Sequence, residues 1–272
     1  MSEPWKGPCI AAALVLVLVG CGSTDNGVGL EASSTAPDDI VQIINAIDGG
    51  DTEALGRLLD AGAKPTPPGS RLSAIHAAIT HFKRNKLGCD SIALNLLLTH
   101  GADPNFVDDW SGFAPMEDAL AIGDMNCATM LKDAGAKVTT RGKSGQSLLQ
   151  FAVKGAVRTG NPQIIDQVVA WGVDPNILSA ERGFTALHEA VWQTPGQPVD
   201  PVIAELLHVG TNPCATNSSG QTAFEVAVDI KRSESMQRLL RNAMKSCPPK
   251  AASTNAATLS LVAAVTNFME PV

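Results

Sequence analysis

A self-similar unit recurs along this chain, and its clearest copy is Gly183–Cys214, GFTALHEAVWQTPGQPVDPVIAELLHVGTNPC. It reads as a Gly-initiated turn, a short helix, a loop, a second apolar helix and a Gly exit. Variants begin GFAPMEDAL at Gly112, GQSLLQFAV at Gly145 and GQTAFEVAV at Gly220; before SAIHAAI at Ser73, Arg71 stands in place of the leading Gly. The second helices stop at GADPN from Gly101, GAKV from Gly135, GVDPN from Gly172 and GTNPC from Gly210. A unit this short cannot bury its apolar face alone and must stack on its copies. The repetition therefore dictates a solenoid, whatever any single segment suggests.

These words resemble the ankyrin repeat, G-x-T-P-L-H-x-A-A followed by a helix ending L-L-x-x-G-A-D-x-N, at about 33 residues per unit. Thr185, Leu187, His188 and Ala190 stand in register, and GADPN is intact at Gly101–Asn105. The exits at Gly62, Gly101, Gly135, Gly172 and Gly210 give longer steps of 39, 34, 37 and 38 residues. The extra residues fall mostly between the two helices of a unit, in THFKRNKLGCD and QTPGQPVD, as loop insertions from one face. The resemblance covers roughly residues 38 to 247. It implies an all-α ankyrin-repeat solenoid with short β-type fingers and about six repeats, the terminal ones divergent.

Composition suits thin repeats. Of 272 residues 44% are hydrophobic, only 4% are aromatic and none is Tyr, so the core is expected to be Ala, Leu, Val and Ile. A net charge of −7 and a pI near 5.2 argue against nucleic-acid binding, which needs clustered Lys and Arg.

Residues 1–21 do not belong to the repeats. Ile10–Val19 is an apolar run shorter than the roughly 20 residues a membrane helix needs. It ends Leu18-Val19-Gly20-Cys21, which resembles the lipobox of bacterial lipoproteins, with Cys21 the lipidated residue. An uncleaved anchor, or an ordinary signal peptide with a coincidental Cys, is the competing reading. Gly22 is not the Asp that retains many lipoproteins at the inner membrane, so an outer-membrane, periplasm-facing address is expected. Residues 22–37 read as a tether spanning roughly 20–25 Å. The repeats follow over 38–247, opening with a cap over Asp38–Lys64. Pro248-Pro249 ends them, and the apolar tail 248–272 reads either as a cap on the last repeat or as a flexible end. Asp51, Asn161 and Asp200 are expected N-caps, the latter two with Pro162 and Pro201 at the first helical position.

Four cysteines lie in the repeats. Export to an oxidising compartment favours pairing. Cys89 and Cys127 both open second helices of consecutive repeats, and Cys214 and Cys247 occupy equivalent positions 33 residues apart. The expected bridges are Cys89–Cys127 and Cys214–Cys247, with buried free thiols as the alternative. Equivalent positions are ordinarily too distant for a bridge, so the second pair requires the divergent last turn to close the gap.

No catalytic, cofactor or metal motif is found. RGKS at Arg141–Ser144 has the end of a phosphate loop, but Lys137 stands where its first Gly is required. His76 and His188 fall on the family's TPLH position, where the imidazole ties adjacent turns. His100 and His208 sit at helix C-termini. His81, with Lys83, Arg84 and Lys86, makes a short basic loop.

The resemblance implies a concave groove formed by fingers and first helices, and names the positions that face it. These are Trp110, Ser111, Lys143, Glu181 and Arg182 before the leading Gly, and Phe113, Gln146, Phe184 and Gln221 after it. Ile122, Lys154, Trp192 and Gln193 lie in the pairs after the A-A word. In a chain with seven Phe and four Trp, finding Trp110, Phe113, Phe184 and Trp192 at outward positions points to a protein interface. Packing of Phe113 and Phe184 against neighbouring fingers is the competing reading. Trp171 either extends this patch or covers a helix end.

The expected function is non-catalytic protein binding by a monomer tethered to the envelope through its lipid. One form is an immunity protein covering a toxic secreted hydrolase; another is a helper stabilising a periplasmic enzyme, for example one of oxidative defence. An enzyme or small-ligand binder is the outside alternative and would need a deep polar pocket.

Overall fold

A computed structural model describes residues 36–66, 73–80, 82–83, 86–107, 112–138, 145–193 and 199–248. Cys21, Trp110, Ser111, Lys143 and the tail from residue 249 lie outside the described residues, as does all but the end of the tether.

Among the described residues twelve α-helices form six consecutive pairs: α1 Ala36–Gly49 with α2 Thr52–Asp60, α3 Ala74–Ile79 with α4 Ser91–Thr99, and α5 Pro115–Ala121 with α6 Met125–Asp133. The remaining three are α7 Leu148–Thr159 with α8 Gln163–Ala170, α9 Ala186–Trp192 with α10 Asp200–His208, and α11 Ala223–Asp229 with α12 Glu234–Ala243. First helices stack on first helices in chain order from α1 to α11, and second helices pack along α2–α4–α6 and α8–α10–α12. This is the expected solenoid of six repeats. Helix α1 starts at Ala36, two residues before the expected domain start, with Pro37 in its first turn, where a missing N–H costs no hydrogen bond.

The local signals explain the ends. Asp51 caps α2 by accepting from the Ala54 amide at 2.8 Å. Asn161 accepts from the Gln163 amide at 3.2 Å, but α8 begins at Gln163 with Pro162 at the N-cap position, so Asn161 lies one residue before the cap, not at it as expected. Asp200 is a correction. It is already helical, because the Ile203 amide bonds the Val199 carbonyl and opens α10 one residue earlier. The five exit glycines share φ values of 83–94°, a left-handed conformation that side chains avoid. The insertion between α3 and α4 carries a two-residue hairpin, β1 Phe82–Lys83 with β2 Lys86–Leu87, and 194–198 separates α9 from α10.

The core is one continuous aliphatic seam of Leu, Ile, Val and Ala, including Leu94, Leu120, Leu149, Ile165, Leu187 and Ile203. Small residues set how closely repeats approach. A Cβ on Gly155 of α7 would sit 2.0 Å from the Leu120 carbonyl oxygen and 2.7 Å from Gly123 Cα. Gly155 is buried in this contact, not turned to the groove as its place after the A-A word suggests.

Both expected disulfides are present. Cys89–Cys127 joins the α4 and α6 ends across 6.5 Å between Cα atoms, and Cys214–Cys247 spans 5.6 Å. The second becomes possible because the last repeat lacks the Gly exit: α12 runs into a 3₁₀ turn at Met244–Ser246, which brings Cys247 to the preceding finger. Among the described residues no helix is long and apolar enough to cross a membrane.

Candidate functional site: a groove over the fourth to sixth repeats

Two polar ladders hold the repeats in register and so aim the groove residues. The first uses the fourth residue of each TPLH-like word. His76 Nε2 donates to the Phe113 carbonyl at 2.8 Å, Gln150 Nε2 to the Phe184 carbonyl at 2.8 Å, and His188 Nε2 to the Gln221 carbonyl at 2.9 Å. In each case the acceptor is the residue after the next leading Gly. The near end of the same side chain accepts from its own helix start: Gln150 Oε1 from the Ser147 amide, and His188 Nδ1 from the Thr185 amide. This fixes the His188 tautomer with its proton on Nε2, and burial lowers its pKa, keeping it neutral. The second ladder is in the fingers. Asn105 bridges to the Gly135 carbonyl and the Lys137 amide, and Asn176 to the Gly210 carbonyl and the Asn212 amide.

Glu117 occupies the first ladder's position in the third repeat. Its Oε2 accepts from the Ala114 amide at 2.8 Å, while Oε1 is buried without a partner. Burial raises its pKa; the Ala114 hydrogen bond and Lys154 act against this.

At the fifth repeat the groove-facing residues converge. His188 and Trp192 lie at i and i+4 on one face of α9, and Phe184, in the turn just before the Thr185 cap, packs against both. The Phe184 ring stacks on His188 at 5.4 Å and meets Trp192 edge-on at 6.0 Å. The Arg182 guanidinium lies 5.7 Å from the centroids of both the Phe184 and Trp192 rings. Trp192 is 50% exposed, whereas Phe184 is only 8% exposed and forms the floor.

Beside them Glu189, 7% exposed, is held by three groups. Gln193 Nε2 donates to its Oε1 at 2.9 Å, Gln146 Nε2 to its Oε2 at 3.3 Å, and Lys154 Nζ lies 3.8 Å from Oε1. Lys154 also donates to Gln146 Oε1 at 3.0 Å. Desolvation raises the Glu189 pKa; Lys154 and the Gln193 amide oppose it. These residues enclose a cleft of about 270 Å³ floored by Glu189 and Phe184. A second cleft of about 550 Å³ runs on past Arg182 and Trp192 to Gln221, Asp229 and Ile230. Its far wall is the next finger, tied back by the Ser218 amide to the Arg182 carbonyl at 3.0 Å.

The sequence-derived site is therefore partly assembled. Gln146, Lys154, Glu181, Arg182, Phe184 and Trp192 line the first cleft, and Gln221 lines the second. Gln193 supports Glu189. Two placements are corrected. Ile122 is 6% exposed and belongs to the core, because it caps α5 and turns inward. Phe113 packs edge-on against Phe151 at 5.3 Å and is half-buried between repeats, which is the competing reading for that residue. Trp171 caps α8 beside Lys132, so it covers a helix end. Sequence reasoning missed Glu189 and Gln150; both follow from aligning each repeat's residues with the His188 word.

Among the described residues one set of potential metal ligands gathers, Cys89, Asp124 and Cys127 within 4.8 Å. The two sulfurs are joined to each other, and Asp124 caps α6 by accepting from the Cys127 amide at 3.1 Å.

Comparison with known proteins gives the same repeat. No protein-family profile matches the chain. It is 30% identical over 192 residues to the human SH3 and multiple ankyrin repeat domains protein 2, covering 70% of this chain and 9% of that one. An ankyrin repeat-containing protein of Treponema pallidum (strain Nichols) is 32% identical over 110 residues, 40% of this chain and 34% of the relative. The mouse NF-kappa-B inhibitor delta is 27% identical over 140 residues, 49% and 41% of the two chains. The chain thus spans well under half the length of each of these relatives. Six stacked helix pairs, the carbonyl-seeking residue of the TPLH word and ankyrin-repeat relatives agree: this protein folds as an all-α ankyrin-repeat solenoid.

Proposed function

We propose that this chain is a protein-binding module, lipid-anchored at Cys21 on the periplasmic side of a bacterial envelope, that works by occupying a surface of its partner. The observation that carries the reading is the Arg182–Phe184–Trp192 cluster, a half-exposed Trp and an exposed Arg gathered on one cleft in a chain otherwise poor in aromatics. Trp and Arg dominate the binding energy of interfaces, at about 2 kcal/mol or more each where they are hot spots. Two disulfides fit an oxidising compartment.

Within this reading the partner is a toxic secreted hydrolase, and the chain is its immunity protein. A tether and lipid would keep the inhibitor where such an enzyme attacks, and a rigid, disulfide-stapled stack loses little entropy on binding. Crosslinking and affinity capture of the mature protein, run beside a Trp192→Ala variant of matched thermal stability, tests it. Capture of one hydrolase by the parent but not the variant, with loss of that hydrolase's activity in the complex, is the expected result. A captured enzyme that stays active and survives stress longer would replace immunity by the helper role. Equal capture by both proteins would move the interface off this groove. Radiolabelled fatty acid incorporation that persists in Cys21→Ala would overturn the anchor.

A further inference from the structure

We infer that the groove takes an extended stretch of partner polypeptide that presents an Asp or Glu side chain to the Arg182 guanidinium and an adjacent apolar side chain to Trp192. This rests on the reading of the groove as the protein-binding face and names the chemistry of what fills it.

The charges of the cleft are not equally available. Lys154 is committed to Glu189 and Gln146, and Glu189 in turn to Gln146 and Gln193. Asp229 accepts from the Gln221 amide. The Arg182 side chain differs: it lies over the Phe184 and Trp192 rings, feels the Glu189 carboxylate only through space, and no described residue accepts a hydrogen bond from it. Glu181 beside it is exposed and forms no ion pair with it. Two aromatic neighbours restrain the guanidinium, whose edge of parallel N–H donors has no described acceptor. That edge matches a carboxylate in a two-point fork, and its preorganisation lowers the entropy cost of forming it.

The clefts argue for a segment that passes through. Arg182, Phe184 and Trp192 line both the cleft toward Lys154 and the cleft toward Ile230, so the Arg stands midway along an open trough and not at a closed end. A side-chain carboxylate suits this place better than a chain terminus. Ile230, 37% exposed, and Trp192 offer apolar surface on the far side. The chain's net charge of −7 opposes long-range attraction of an acidic segment, so the fork should act on dissociation more than on association.

The test uses the full chain and a displayed library of random linear peptides with invariant spacers at both ends, which removes free termini. Enriched peptides should carry Asp or Glu beside a large apolar residue. Arg182→Gln, and an amide in place of the peptide's carboxylate, should each weaken binding about 10- to 100-fold. Combined, they should cost no more than either alone, since both remove one contact. Arg182→Lys should restore only part of the loss, because a point charge replaces the fork. Enriched peptides without acidic residues, or binding indifferent to Arg182→Gln but abolished by Trp192→Ala, would overturn the inference and leave the groove reading intact. Binding indifferent to both substitutions would overturn the groove reading as well. A library that yields no binder rules out recognition of extended segments, and with it this inference; capture of a folded partner then still tests the groove.

Discussion

Glu117→Gln should stabilise this protein at neutral pH, by an amount that disappears in acid. Glu117 is 1% exposed, its Oε2 accepts from the Ala114 amide, and its Oε1 is buried without a partner. One repeat on, Gln150 shows what an amide does at this position: Oε1 accepts from the Ser147 amide and Nε2 donates to the Phe184 carbonyl, both at 2.8 Å. The repeat-equivalent carbonyl for Glu117 is that of Gln146. An amide would keep the first bond and add the donor that every His or Gln at this position supplies. Leaving a buried polar atom unsatisfied costs about 1–3 kcal/mol, so a gain of this order is expected, or a rise of roughly 2–10 °C in the unfolding midpoint. The pH dependence follows from the raised pKa of Glu117, caused by burial. A carboxyl whose folded pKa exceeds its unfolded value contributes its stability below the unfolded value, and loses it as pH rises through the folded one. Protonated, Glu117 is itself a donor. The parent should therefore approach the variant in stability near pH 4 and fall behind toward pH 7. Thermal melts followed by circular dichroism across that range decide it. A variant no more stable than the parent at pH 7, or a gain equal at both pH values, would refute the assignment of the orphan oxygen to this seam.

Three further outcomes are expected. Gly155→Ala should destabilise by about 1–3 kcal/mol despite better helix propensity, because the new methyl meets the Leu120 carbonyl; denaturant unfolding reads this, and an unchanged midpoint would mean the α5–α7 contact is looser than drawn. Reduction should lower the unfolding midpoint, since bridges spanning 38 and 33 residues each contribute about 2–4 kcal/mol, and thiol titration of the denatured, unreduced protein should detect neither pair. His188→Gln should flatten the acid side of the stability profile. Burial lowers the His188 pKa, so its contribution is present above the ordinary histidine value and is lost as pH falls through the folded one, whereas an amide keeps both bonds without titrating; an equally steep acid limb in the variant would exclude His188 as its source.

The repeated words carried the fold because each carries its own physics. A Gly exit demands a left-handed residue, Asp51 caps α2 whatever surrounds it, and the alternation of helix and small turn leaves apolar faces that only stacking can cover. The ankyrin resemblance implied that His188 ties adjacent turns, and its bond to the Gln221 carbonyl does so. The disulfide partners could be read as well, although Cys214–Cys247 joins equivalent positions only because the last turn diverges.

Depth within the stack was decided only in three dimensions. Register places Ile122, Phe113, Phe184 and Trp192 alike on the groove side, yet they range from core to half-exposed, because burial depends on how far the neighbouring repeat overhangs each one. The same holds for charge. Lys154 and Arg182 look equivalent as groove cations, but the side chains that reach Lys154 come from Gln146 and from Glu189 on the next repeat, while Arg182 lies over aromatic rings and acts on Glu189 only through space. A repeat determines where its own residues point; which of them find partners is settled by the repeat packed beside it.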